Sequence, residues 1–138
     1  MSEKNLWTKL RSTIQKMGVR GRWERVENGV GSGMPDVSYC VEGREGWIEL
    51  KHGRMPSKDS TRVFKSQRGL DITQINWHLN QHQAGGKSFI LIELDGTYFW
   101  FKGEEAESIN TLTMGEMGLK KITLAQFLSE ILRQQIPS

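Results

Sequence analysis

The helical period of the apolar residues predicts an amphipathic helix near each end of the chain. The first covers residues 5–17, with Asn5 available as its N-cap and Gly18 as its end. The second covers residues 124–132. Their apolar positions are Leu6, Leu10, Ile14 and Met17 in the first helix, and Leu124, Phe127, Leu128, Ile131 and Leu132 in the second.

Alternating apolar and polar residues predict three strands between residues 23 and 51. The strands are expected at 23–26, 37–41 and 47–51. Residues 28–33 are too rich in glycine for regular structure, and residues 42–46 form a turn. The second and third strands therefore form a hairpin.

The second half of the chain is predicted to contain a helix followed by two strands. Residues 73–84 predict a helix that ends at Gly85-Gly86. Strands at 88–94 and 97–101 form a hairpin closed by Asp95-Gly96, which is a strong turn signal. This order of elements predicts an α/β fold in which helices flank a mixed sheet.

Length and composition predict one intracellular domain that spans residues 1–138. A chain of 138 residues with 36% hydrophobic residues can bury one core. It contains no apolar run near the roughly 20 residues that a membrane-spanning helix needs, and no secretory signal pattern. Cys40 is the only cysteine, which excludes an internal disulfide and favours a reducing, cytoplasmic location.

Positive charge is concentrated in the first half of the chain. Residues 1–68 carry 14 Lys and Arg against 8 Asp and Glu, a balance of +6. Residues 69–138 carry 5 against 8, a balance of −3. A basic face of this kind favours a phosphate backbone as the partner, although a solvated basic surface is the open alternative.

Asp36, Glu49 and Lys51 are predicted to lie on one face of the first hairpin. Glu49 and Lys51 are two residues apart on a strand and therefore share a face. A two-residue turn at 42–43 pairs Asp36 with Glu49, whereas a four-residue loop at 42–45 pairs it with Lys51. Both registers gather the three charged side chains, and a slip by one residue would bury them among apolar residues.

Two neighbouring carboxylates and a lysine favour metal-assisted chemistry on a phosphodiester. The carboxylates of Asp36 and Glu49 repel each other unless a cation lies between them. Mg²⁺ prefers hard oxygen ligands at about 2.1 Å, and the Leu50 carbonyl could supply a third oxygen. Beside that metal, Lys51 would position a water or neutralise charge on the phosphorus oxygens.

These residues resemble the motif of a known nuclease superfamily. Gly33-Met34-Pro35-Asp36-Val37 followed by Trp47-Ile48-Glu49-Leu50-Lys51 resembles the PD-(D/E)xK nuclease motif. Arg25-Val26-Glu27-Asn28-Gly29 and Gln74 on a helix narrow the resemblance to the VRR-NUC branch, which includes small phage proteins similar to Holliday-junction resolvases. The resemblance covers residues 22–92 and implies a restriction-endonuclease-like core.

The resemblance also implies roles for individual residues. Asp36 and Glu49 would be metal ligands, Lys51 the catalytic lysine, and Gln74 would orient the site from its helix. The upstream acidic residue would be Glu27, acting on a second metal or its water. Many relatives carry this acid on the first helix, but residues 5–17 contain none, so Glu24 is the alternative.

A basic loop follows the strand that carries Lys51. Residues 52–68, called the basic loop here, contain several cations against the single acid Asp59. Such a loop would bind phosphates and would be mobile without DNA. The proposed nucleic-acid-binding residues are His52, Arg54, Lys58, Arg62, Lys65 and Arg68.

His78 and His82 are four residues apart on a helix, which is a spacing found in zinc sites. No HExxH motif surrounds them and no third ligand is evident. Both are therefore interpreted as ordinary helix residues. Cys40 is interpreted as a small core or interface side chain.

The sequence thus predicts a Mg²⁺-dependent endonuclease for branched DNA, in which Mn²⁺ is expected to substitute for Mg²⁺. A nuclease for duplex ends, flaps or nicks, or a non-catalytic DNA-binding protein with the same fold, are the alternatives. Cutting two opposed strands of a junction favours a homodimer, with the terminal helices as first choice of interface. A phage-infected bacterial cell is the setting that the resemblance implies.

Overall fold

The computed structural model describes residues 2–26 and 33–133. In those residues no helix combines the length and the apolar character needed to cross a membrane. The elements, in chain order, are α1 (Glu3–Met17), β1 (Arg22–Arg25), β2 (Val37–Val41), β3 (Arg44–Gly53), α2 (Ile72–Gln83), β4 (Ser88–Leu94), β5 (Thr97–Lys102), α3 (Ala106–Ile109), α4 (Met114–Met117), β6 (Lys121–Ile122) and α5 (Leu124–Arg133).

The six strands form one sheet in the order β1-β2-β3-β4-β5-β6. Every neighbouring pair is antiparallel except β3 and β4, which run parallel. A parallel pair needs a crossover connection, and here the basic loop and α2 provide it. The predicted α/β architecture, a mixed sheet flanked by helices, is confirmed.

The hairpin of β2 and β3 has a two-residue turn at positions 42–43. Both turn residues have positive φ (52° and 80°), as in the turns that match the twist of paired strands. Val37 pairs with Ile48. Of the two registers that the sequence allows, the structure therefore has the one that directs Asp36 toward Glu49.

Helices α1 and α5 cover one face of the sheet. Their apolar residues are buried against β2, β3 and β4, and Trp100 packs on the same cluster. These faces belong to the core of the chain itself, so the expectation that they form a dimer interface is wrong. The buried helix residues are Leu6, Trp7, Leu10, Ile14, Leu124, Phe127, Leu128 and Ile131.

Helix α1 begins earlier than its apolar pattern indicates. Ser2 is the N-cap, and its side chain accepts a hydrogen bond from the N–H of Asn5 at 3.2 Å. Glu3 is therefore a residue of the first helical turn, and Asn5 is not the cap. Gly18 ends the helix in the left-handed conformation, as predicted.

The segment between β5 and α5 holds short elements that the sequence pattern did not predict. Helices α3 and α4 have four residues each, which is too short for a helical period to be recognised. Ala106, Ile109, Met114 and Met117 are nevertheless buried in a second core on the α2 face of the sheet. Thr113 and Glu116 form a capping box that starts α4.

Hydrogen bonds connect the basic loop to the rest of the chain, and its mobility without DNA stays a prediction. The Gln67 side chain accepts from the N–H of Arg54 at 2.8 Å and donates to the carbonyls of Arg54 at 2.9 Å and Val63 at 2.6 Å. The N–H of Val63 donates to the carbonyl of Leu112 at 3.1 Å. The loop is thus linked to the segment that contains α3 and α4.

Gly33 brings the chain before Asp36 against the first turn of α2. It has φ of +82°, and a Cβ there would lie 2.2 Å from the carbonyl oxygen of Thr73 and 2.6 Å from the nitrogen of Gln74. Only glycine leaves this space empty. The loop that leads to Asp36 therefore contacts α2 through its backbone.

We predict that Gly33→Ala destabilises the protein more than Gly43→Ala does. Gly43 has φ of +80° and nothing within 4 Å of a built Cβ, so its substitution carries only backbone strain, about 1 to 3 kcal/mol. Gly33→Ala adds a clash with the backbone of α2. Urea unfolding measures both, and equal losses of unfolding free energy would show that the close approach is unimportant.

Candidate active site

Asp36 directly precedes β2 and lies between the end of β1 and the middle of β3. Its Oδ2 accepts a hydrogen bond from the N–H of Leu50 at 2.8 Å. Its backbone carbonyl accepts from the N–H of Val26 at 2.6 Å. The N–H and C=O of one strand residue point to the same side, so the Leu50 carbonyl is also directed toward the strand that carries Asp36.

Glu49 and Lys51 project from the same face of β3 and are almost fully buried. Glu49 is 2% exposed and Lys51 is 7% exposed. Ile48 and Leu50 alternate with them and enter the core on the opposite face. The structure therefore brings Asp36, Glu49 and Lys51 together.

Burial raises the pKa of both carboxyl groups. Burial, followed by the negative charge of Glu49, raises the pKa of Asp36 to about 7. Burial also raises the pKa of Glu49 to about 7, although its hydrogen bond with Asp36 and the charge of Lys51 oppose this. Without a metal the pair therefore holds a proton near neutral pH, and a bound cation would displace it.

Two residues of α2 approach the Glu49 carboxylate from one side. Gln74 donates its Nε2–H to Glu49 Oε2 at 3.4 Å, and its Oε1 accepts from the N–H of Asp71 in the capping box of α2. One helical turn later, His78 Nε2 lies 3.9 Å from Glu49 Oε1. Burial lowers the pKa of His78 to about 4, so its ring is neutral.

Glu3 is a functional candidate that the sequence analysis missed. It lines the same open cleft as Lys51 and Gln74. Burial raises the pKa of Glu3, and the charge of Asp36 adds to this shift while Lys51 opposes it. The cap signal of Ser2 would have placed Glu3 in the first turn of α1, where the first helix was thought to lack an acid.

The two upstream acids proposed from the sequence have different outcomes. Glu24 is exposed on the edge strand β1, where it pairs with Ser38 across the strands and with Arg22 Nη1 at 3.3 Å. It is thus engaged by Arg22 away from the carboxylate pair. Glu27 lies outside the described residues and remains a prediction.

A cleft of about 770 Å³ is lined by Lys51 and Gln74, the neighbours of the carboxylate pair, and not by Asp36 or Glu49 themselves. Three cations and two acids line it, and one of the cations, Arg68, also lies 3.9 Å from Asp71. Three cations of the basic loop, Lys58, Arg62 and Lys65, are exposed outside this lining. The lining residues are Glu3, Lys51, His52, Gly53, Arg54, Gln67, Arg68, Gln74 and Asp95.

The residues present fit a magnesium ion. Glu49 Oε1 is buried and has no hydrogen-bond partner in the described part of the chain, and its two lone pairs leave room for a cation beside one N–H donor. Within residues 2–26 and 33–133, no three His, Cys, Asp or Glu side chains gather to hold a metal. Mg²⁺ needs only one or two carboxylates because it keeps several waters, so Asp36, Glu49 and the Leu50 carbonyl suffice.

The six-stranded mixed sheet with its crossover helix is a fold that a solved structure shares. A solved structure with this fold is Hjc from Archaeoglobus fulgidus, a Holliday junction resolvase from an archaeal hyperthermophile. The two structures have a TM-score of 0.60 over 94% of this chain and 97% of Hjc, at 15% sequence identity. No protein-family model and no characterised protein matches the sequence.

Proposed function

We propose that the protein is a Mg²⁺-dependent endonuclease that hydrolyses phosphodiester bonds in branched DNA. The observation that carries the proposal is the pair of carboxylates formed by half-buried Asp36 and buried Glu49, with buried Lys51 beside it at the wall of an open cleft. The fold shared with Hjc supports a nuclease. Branched DNA as the substrate class is supported by the description of Hjc as a Holliday junction resolvase.

Asp36 and Glu49 would hold the metal through their carboxylates, and the Leu50 carbonyl would add a neutral oxygen. When bound, Mg²⁺ polarises a phosphoryl oxygen and lowers the pKa of a water molecule. The hydrogen bond from the Leu50 N–H fixes the Asp36 carboxylate at 2.8 Å. Mn²⁺ is expected to substitute because it accepts the same oxygen ligands.

Lys51 neutralises the charge that develops on the phosphorus oxygens and positions the attacking water. Lys51 lies on the same strand face as Glu49 and is largely buried at the wall of the cleft, where electrostatic stabilisation is stronger than in bulk water. Gln74 orients Glu49 through the contact with Oε2. These two residues act without ligating the metal.

Glu3 is the proposed upstream acid, and Glu27 is the alternative proposed from the sequence. Glu3 lines the cleft and senses the charges of Asp36 and Lys51. From that position a carboxylate can orient the attacking water or contribute to a second metal. A helical acid also matches the arrangement that the resemblance to PD-(D/E)xK nucleases implies.

The basic loop binds the phosphate backbone around the cleavage point. His52, Arg54 and Arg68 line the cleft beside Lys51, and Lys58, Arg62 and Lys65 extend the cationic surface beyond it. Gln67 makes hydrogen bonds within the loop, which restrain these charges before DNA arrives. A restrained cationic surface selects the shape of a substrate better than a mobile one.

A nuclease for duplex ends, flaps or nicks remains the alternative within the same chemistry. A non-catalytic DNA-binding protein is the alternative outside it. Incubation with a labelled four-way junction, a flap, a nicked duplex and a plain duplex, with and without Mg²⁺, separates all three. Cleavage of the junction alone supports the proposal, and binding without cleavage of any substrate contradicts it.

We predict that Asp36→Asn or Glu49→Gln abolishes junction cleavage and leaves junction binding intact or tighter. Each change removes a metal ligand and a negative charge that repels phosphate. Lys51→Ala is expected to lose cleavage by about 100-fold or more and to keep its affinity for Mn²⁺, since Lys51 is not a ligand. Gel-based cleavage and calorimetry with Mn²⁺ measure the two properties.

Three further variants serve as controls for the carboxylates. Glu24→Gln, on the exposed edge strand, should keep wild-type cleavage. Glu3→Gln should lower cleavage strongly, whereas Glu27→Gln should not, if Glu3 is the upstream acid. Full activity in Asp36→Asn or Glu49→Gln would contradict the metal site.

We also predict that four substitutions to Gln in the basic loop weaken junction binding and flatten its salt dependence. Replacing Arg54, Lys58, Arg62 and Lys65 should lower the log–log slope by about 0.9 per lost phosphate contact on B-form DNA. A charge-matched control replaces four exposed cations elsewhere and should leave the slope unchanged. The control residues are Arg11, Lys16, Arg20 and Lys121. Equal slopes for both variants would show that the loop is only a solvated surface.

We predict finally that the active species is a symmetric homodimer. A junction must be cut in two opposed strands, and two-fold symmetry supplies a second site at a fixed separation. The interface must lie outside the apolar faces of α1 and α5, because these are buried in the core. Light scattering should give a mass near twice 15.8 kDa. A monomeric mass that junction DNA leaves unchanged would contradict the dimer.

A further inference from the structure

Two buried polar atoms without hydrogen bonds face each other behind the carboxylate pair. His78 has no exposed surface, and its Nε2 makes no hydrogen bond to any residue that the structure describes. Glu49 Oε1, at 3.9 Å, is likewise without a hydrogen-bond partner. Unpaired polar groups in a dry interior are costly. The short distance between His78 Nε2 and Glu49 Oε1 therefore calls for a structural or functional explanation.

The opposite side of the His78 ring is already bonded. His78 Nδ1 and Ser88 Oγ are 2.8 Å apart. If Nδ1 carried the hydrogen, the Nε2 lone pair would point at a carboxylate oxygen, and two acceptors would repel each other. If Ser88 donates to Nδ1, the hydrogen lies on Nε2 and points at Glu49, which is favourable. The bond made by one ring nitrogen thus sets the state of the other.

Gly103 leaves the space in which this arrangement fits. A Cβ at Gly103 would lie 2.0 Å from Ser88 Oγ and 3.3 Å from His78 Nδ1. Any side chain at this position would displace the Ser88 hydroxyl. The absence of a side chain at position 103 therefore allows Ser88 to contact His78.

Gln74 and His78 lie next to the two different oxygens of the Glu49 carboxylate. They are four residues apart on α2, so they lie on the same face of that helix. Gln74 contacts Glu49 Oε2 and His78 faces Glu49 Oε1. The separation of 3.9 Å is about 1 Å longer than an N–H···O hydrogen bond, so a bond between the two atoms requires them to move closer together.

We propose that His78 is a positioning residue that donates its Nε2–H to Glu49 and holds this carboxylate in the orientation needed for metal binding. Ser88 fixes the ring, and Gly103 provides room for Ser88. The proposal rests on the proposed function, because it takes Glu49 as a metal ligand. The proposal gives His78 a role that His82 does not have, although the sequence analysis interprets both as ordinary helix residues.

The test measures Mn²⁺ binding by calorimetry on the full chain without DNA. His78→Leu should raise the Mn²⁺ dissociation constant about 10-fold or more, as loss of a partner of a metal ligand does. His82→Leu is the matched control, because His82 lies on the same helix but is exposed and faces Glu104 at 3.6 Å. It should leave the dissociation constant unchanged.

Two amide substitutions distinguish positioning from general support of the fold. The amide nitrogen of Gln reaches the place of Nε2, and that of Asn reaches the place of Nδ1. His78→Gln should therefore retain most of the Mn²⁺ affinity, whereas His78→Asn should behave like His78→Leu. A role limited to packing would not separate Gln from Asn. This comparison also decides the question if His78→Leu fails to fold.

The outcomes for the positioning role and for the metal site are distinguishable. If the wild-type protein binds no Mn²⁺, the proposed metal site fails and the role of His78 fails with it. If the wild type binds Mn²⁺ and the His78→Leu protein binds it equally well, only the positioning role is overturned. Equal Mn²⁺ affinities of His78→Gln and His78→Asn would also overturn it.

Discussion

The structure depends on the burial of two carboxylates next to each other. Asp36 and Glu49 are withdrawn from water on one face of the sheet, and burial raises the pKa of both groups to about 7. In that environment the charged pair is unfavourable without a cation. Lys51 supplies one positive charge, the Leu50 N–H supplies a dipole, and a divalent metal would supply the rest.

Helix α2 is the element that positions the two carboxylates. Its first turn contacts Gly33 and so fixes the approach of the chain to Asp36. Its capping box orients Gln74 toward Glu49, and its next turn places His78 behind the same carboxylate. Helix α2 therefore positions both acids, because it contacts the chain that leads to Asp36 and its side chains lie against the carboxylate of Glu49. The crossover that makes β3 and β4 parallel puts α2 in this place.

Local signals predicted the sheet and the carboxylate pair from the sequence. The common face of Asp36, Glu49 and Lys51 followed from a period of two, whereas the turn residues left two registers of β2 and β3 open. Glu3 was missed because one cap position moved the start of α1. The segment with α3 and α4 was missed because four-residue helices show no period. The position of His78 behind Glu49 depends on the crossover, which residue spacing does not reveal.

The burial of the Asp36 and Glu49 carboxyl groups favours metal binding but lowers the stability of the metal-free protein. Without metal, keeping two carboxyl groups out of water makes the folded state less favourable as pH rises, because their folded pKa values exceed the unfolded ones. The free energy of unfolding therefore decreases between about pH 4, where these carboxyl groups lose their protons in the unfolded chain, and about pH 7, where they lose them in the folded chain. A metal that binds only the folded state restores stability by mass action. A site built to bind a divalent cation is therefore a local weakness of the metal-free chain, and sites of this kind commonly trade stability for activity.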